Sequence, residues 1–159
     1  MKFEICCILK RGSNMFEVGQ EIEVNGEKTK VLGRVKYSGP VPEYSVRIDN
    51  NKCWLEPTDK GWKLWKEVND ERNPVVEIVR NSDPVTDLTN STYENFHISS
   101  HGIAIASESI GNTWGVKVGG RVELWRGKNV TDNEWPLFIA ERNDDGIIFF
   151  WAGQYVSVE

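Results

Sequence analysis

Two histidines, three cysteines and 24 carboxylates are the side chains of this sequence that could do chemistry. His97 and His101 stand four residues apart. On a helix that spacing brings two imidazoles to one face, where they can ligate a metal ion. The stretch Phe96-His97-Ile98-Ser99-Ser100-His101 reads as extended chain. There, residues four apart are separated by roughly 13 Å and cannot share one ion. No metal and no cofactor is expected. Cys6 and Cys7 adjoin, and Cys53 stands alone. An odd count with a vicinal pair suits buried reduced thiols, with a bridge from Cys53 to one of the pair as the alternative in an oxidising compartment. Asp70-Glu71 and Asp144-Asp145 are adjacent acids in turn-like settings, where such residues serve the turn and its solvation. Nothing places two carboxylates across a cleft for general acid–base work. Ser99 and Ser100 lack the strand–turn–helix context of an activated serine, and no glycine loop precedes a helix to cradle phosphate. The expectation is that the protein is not an enzyme.

Tryptophan is the prominent residue, at positions 54, 62, 65, 114, 125, 135 and 151. Large aromatic side chains fill the layers of small β domains. Two-residue alternation separates two of them. Trp65 shares a face with Lys63 and Glu67, and Trp125 with Arg121 and Glu123. Both should point away from the first core, either beneath a second layer or into an exposed aromatic patch of the kind that meets a partner. These six residues are the candidate partner-binding set. Arg34, Lys36 and Arg47 could line one face with Tyr37, as basic strands with aromatics do in single-strand nucleic-acid binders. The net charge of −5 and the acids Glu21 and Glu23 on the facing strand oppose that reading. Cross-strand ion pairs explain the same residues. A protein partner is expected, and nucleic acid is not.

The elements that must position these side chains are strands. At 159 residues the chain can bury a sizeable core. Val18, Ile22 and Val24 alternate with Glu21 and Glu23, Asn25-Gly26 signals a tight hairpin, and Thr29 to Tyr37 reads as its return strand. Tyr44 to Ile48, Lys52 to Glu56 and Trp62 to Val68 continue the pattern, with turns between them. Residues 69–95 carry Pro74, Pro84 and many Asn and Asp, and read as a connector with one strand at Val75 to Val79. A single short helix is allowed, around Pro84 to Tyr93. Phe96 to Ala106 reads as a strand pair turning near His101-Gly102, and Trp114 to Trp125 as a further strand. The last hairpin is Pro136 to Arg142 with Ile147 to Val158, where Ile147 to Trp151 is apolar on both faces and must be central or covered. The fold class is mostly β, as a small barrel or strongly bent antiparallel sheets. Residues 1–68 form a first β-unit, 69–95 the connector and 96–159 a second β-unit packed with the first as one compact domain. Val18-Gly19 to Val24 echoes Val118-Gly119 to Leu124, so the units read either as a duplication or as a recurrence of a glycine that starts a bent strand.

No apolar run has the length of a membrane-spanning helix, and the N-terminal apolar stretch is short and carries Glu4. A cytoplasmic location without membrane insertion is expected. Val18-Gly19, Val24-Asn25-Gly26, Val31-Leu32-Gly33-Arg34-Val35-Lys36-Tyr37, Glu43-Tyr44, Trp54-Leu55-Glu56 and Gly61-Trp62 together resemble a bacterial family known as domain of unknown function 4178. Trp114 to Glu123 and Phe138 to Tyr155 are similar to that family's later segments, so the resemblance runs from about Phe16 to Val156. The Asn/Asp-rich middle and the strand-like Lys2 to Lys10 depart from its pattern. The family brings no activity with it. Its context implies a non-catalytic adaptor or accessory module of a bacterial system linked to membrane stress. Two rivals are a toxin-neutralising immunity or anti-defence protein, and a binder that stacks carbohydrate or nucleobase on exposed tryptophan.

Overall fold

The computed structural model describes residues 15–39, 41–82 and 87–159. Cys6, Cys7, the N-terminal strand-like stretch and Pro84 lie outside them. The chain forms β1 (Glu21–Val24), β2 (Glu27–Lys30), β3 (Gly33–Tyr37), β4 (Pro42–Ile48), β5 (Asn51–Thr58) and β6 (Gly61–Glu67). The short helix α1 (Pro74–Arg80) follows, then β7 (Thr92–Tyr93), β8 (Phe96–Gly111), β9 (Arg121–Asn129), β10 (Leu137–Asn143) and β11 (Ile148–Val156).

Eight strands close an antiparallel barrel in the order β3-β4-β5-β6-β11-β10-β9-β8, with β8 returning to β3. Two four-stranded meanders, β3 to β6 and β8 to β11, thus meet first strand to first and last to last. The β1–β2 hairpin is a separate sheet, and β7 extends the large sheet beside β8. The predominantly β class, with one short helix among the described residues, agrees with the sequence pattern. Asn25 and Gly26 both have positive φ, as the tight hairpin turn requires. β11 lies between β6 and β10 and is buried on both faces, with Phe150 outside the barrel wall and Trp151 inside it.

Alternation along β5, β6, β10 and β11 sends neighbouring residues to different cores. Inside the barrel, Val35, Trp54, Trp65, Ala106, Ile139 and Trp151 pack together. Outside, the β1–β2 hairpin covers Tyr44, Val46, Cys53, Leu55 and Leu64. On the other side α1 covers Trp125, Phe138, Ala140 and Phe150. No helix among the described residues is long and apolar enough to cross a membrane.

Four local expectations are corrected. Val75 to Val79 is helical, because Asn73 caps the N–H groups of Val75 and Val76 and Pro74 opens the first turn. Thr92–Tyr93, within the stretch expected to hold a helix, is a strand. β8 runs on through His101-Gly102 as one 16-residue strand with a bulge between Ile98 and Ser100. Thr29 to Tyr37 breaks at Val31-Leu32, where the chain leaves the hairpin and enters the barrel. The echoed segments also hold different places: the first forms β1 outside the barrel and the second leads into β9 within it. They share a positive φ at Gly19 and Gly119 before the strand.

Candidate functional site

The barrel interior fills unevenly. Trp54 lies opposite Trp65 in the β5–β6 register, and Trp65 lies opposite Gly153. A Cβ at Gly153 would collide with the Trp65 ring, so the missing side chain makes room for the indole. Trp114 and Val116, from the loop between β8 and β9, pack onto the same interior cluster. Trp114 donates Nε1 to the Cys53 carbonyl at 3.2 Å and carries Arg47 over its ring at 5.0 Å. Arg47 and Lys52 belong to the ends of β4 and β5 remote from Glu43 and Glu56.

At those nearer ends the interior opens into a cavity of about 260 Å³. Tyr37, Trp54 and Leu124 line it, and so do four charged groups: Glu43 from β4, Glu56 from β5, Arg126 from β9 and Glu141 from β10. Each continues an inward-facing stripe. Trp54 leads to Glu56, Leu124 to Arg126, and Leu137 and Ile139 to Glu141.

Glu56 is the satisfied member. It accepts the Trp65 indole N–H at 3.0 Å and faces both terminal nitrogens of Arg126, at 3.4 and 3.5 Å. Glu43 and Glu141 have no hydrogen-bond partner in comparable geometry among the described residues. Each is half-buried. Desolvation, followed by the negative charge of Glu56, pushes the Glu43 carboxyl up to about 8. Desolvation pushes Glu141 up to about 7, opposed by Arg126. Tyr37 is pushed well above the phenol range by burial, then by Glu43 and Glu141. The Trp151 indole N–H is buried and meets no acceptor at hydrogen-bonding geometry, but it lies near enough to Glu141 to favour its ionised form. Two carboxyls that titrate near neutrality in one cavity can donate or accept protons there, and can attract a cation. Three carboxyls that the sequence alone does not bring together thus line one cavity. The missed residues were legible in part: Glu56, Arg126 and Glu141 each stand two residues beyond a core position.

The six candidate partner-binding residues do not form an exposed patch. Trp65 is 3% exposed inside the barrel and Trp125 0% exposed beneath α1. The indoles therefore lie under protein layers, the first of the two alternatives their phase allowed. Lys63 and Glu67 are half-buried, with Lys63 over the Trp65 and Tyr155 rings. Glu123 is buried, held by Arg142 and His101 at 2.7 Å each, and His101 stacks on Trp125. Arg121 alone is exposed.

His97 meets Thr92 at 2.8 Å, so the two histidines have separate partners. No group of His, Cys, Asp or Glu among the described residues is arranged to hold a metal ion. Cys53 is buried, and desolvation pushes its thiol up to about 11, which leaves it an unreactive thiol at neutral pH. Arg34 and Lys36 turn outward to Glu108, at 3.2 and 3.9 Å, whereas Tyr37 turns into the cavity. The basic residues and the aromatic thus do not share a face. Glu21 and Glu23 pair in register with Lys30 and Lys28 across the β1–β2 hairpin.

An antiparallel eight-stranded barrel with an ionisable cavity at one end is the class that fold and site define. No family model, no curated protein and no solved structure matches the chain.

Proposed function

We propose that this protein is a non-catalytic binding module whose barrel takes a small organic molecule at its open end. The observation that carries the reading is the cavity itself, walled by Trp54 and aliphatic side chains and edged by Tyr37, Glu43, Glu56, Arg126 and Glu141. Apolar walls with a few convergent polar groups are the usual make-up of a ligand pocket. Small eight-stranded barrels have an interior of the right width for one such ligand.

Tryptophan fluorescence tests the reading, because Trp54 lines the cavity. A panel of small aromatic and aliphatic compounds should include ones that shift its emission saturably, and Ala104→Phe, which fills the cavity, should abolish the shift. Saturable shifts that survive Ala104→Phe would place the ligand elsewhere and remove the cavity from the account.

A second reading keeps the adaptor role and moves its surface. Ile103 and Ile105 are 51% and 49% exposed on the outer face of β8, and Ile105 pairs in register with the exposed Arg121. Two adjacent exposed isoleucines beside a cation suit a protein partner with an apolar contact and an acidic edge.

A further inference from the structure

We propose that the cavity is built for an organic ammonium ion: an amine with an apolar or aromatic body, its nitrogen between Glu43 and Glu141 and its body against Trp54. This names the ligand class of the binding reading above and rests on it.

The charge count in the cavity favours a cation. Three carboxyls face one guanidinium, and Glu56 already holds that guanidinium together with the Trp65 N–H. Arg126 acts on Glu43 and Glu141 only through its field, and neither carboxyl has a hydrogen-bonded cation of its own among the described residues. The elements around them supply Tyr37 from β3, Glu56 from β5 and Arg126 from β9, while β8 offers only Ala104 to the cavity. Lys63, on β6, pairs in register with Glu56 but lies over the Trp65 and Tyr155 rings and does not line the space. An anion would have to displace Glu56 from Arg126. A bare metal ion would need several carboxylates drawn to one point, which the described residues do not provide.

A second observation points the same way. Trp151 is 4% exposed and lies near enough to Glu141 to favour its ionised form, and its indole N–H has no acceptor at hydrogen-bonding geometry among the described residues. A buried unpaired donor costs stability. An ammonium beside Glu141 fixes that carboxyl as an anion, a stronger acceptor for the indole. A bound ammonium thereby strengthens the acceptor beside the Trp151 indole. Burial, with the charges of Glu56 and Glu141 added to it, holds Glu43 at about 8, and burial against the pull of Arg126 holds Glu141 at about 7, so these carboxyls carry protons at neutral pH that an arriving cation displaces. Trp54 and the aliphatic wall take the apolar body, and an aromatic face also attracts a cation.

Calorimetry at pH 7 with phenethylamine, 2-phenylethanol and phenylacetate tests this, in two buffers of different ionisation enthalpy. Butylamine against butanol repeats the comparison with a narrower body. The amine should bind at least about tenfold more tightly than its alcohol and release protons to the buffer, and the carboxylate should not bind. Glu43→Gln and Glu141→Gln should each weaken the amine about tenfold with the circular dichroism spectrum unchanged. Should either variant fail to fold, proton release by the unaltered protein still decides the matter. Alcohols that bind as tightly as amines, or amines that bind without proton release, would overturn the ammonium assignment and leave the binding reading standing. No binding by any compound would overturn both.

Discussion

At the scale of single residues, the barrel places its acids where they work against stability. A carboxyl whose folded value lies above its ordinary one keeps its proton when the unfolded chain has lost it. Stability then falls as pH rises from about 4.5 through the raised values, near 7 for Glu141 and near 8 for Glu43, and levels off above them. Chemical denaturation between pH 5 and pH 9 should show a decline on the order of a few kcal/mol, at ~1.4 kcal/mol per unit of displacement. Glu43→Gln and Glu141→Gln should each flatten it, and a flat profile in the unaltered protein would contradict these environments. Gly153 belongs to the same interior. Gly153→Ala should cost about 1–3 kcal/mol, because the new methyl meets the Trp65 ring in a filled layer. Thermal melting would register this, and an unchanged midpoint would show that the indole has room to move. Of these residues the sequence showed the identity and the phase, but not the convergence. Glu141 stands in phase with Leu137 and Ile139, which marks it as inward. That it meets Glu43, nearly a hundred residues away, depends on how the sheet closes.

At the scale of elements, the misread segment is the most instructive. Val75 to Val79 is rich in β-branched residues, and that favours a strand. Asn73-Pro74 is a helix-start signal, and it prevails because Val75, Val76 and Val79 then share one face and cover the outer barrel wall. Trp125 lies directly under this cover. Trp125→Ala should therefore cost about 3–5 kcal/mol, as large buried aromatics do, and Trp65→Ala a similar amount inside the barrel. Near-zero losses in denaturant titration would revive the exposed patch. Asn73→Ala should cost about 1 kcal/mol through loss of the cap alone. His101-Gly102 looked like a turn because glycine and a polar residue adjoin there. Long-range pairing with Trp125 and Leu124 of β9 keeps the chain extended.

At the scale of the whole molecule, the strands and most hairpin turns were legible because alternation and turn chemistry are local. Closure was not. The β3–β8 and β6–β11 pairings join segments far apart in sequence, and no local pattern announces them. Closure also gives the barrel strands a buried inner face, so a residue in phase with charged neighbours, such as Trp65, is buried in the core. A sheet with one wet face would have put that indole in solvent, whereas a barrel turns the same phase into an interior with an acidic mouth. A carbon-detected NMR titration of the glutamate carboxyls measures that interior directly. Two carboxyls should have midpoints near 7 and 8, and each should vanish in turn from Glu141→Gln and Glu43→Gln. Midpoints below about 5 for every glutamate would mean that no carboxyls meet inside a closed barrel.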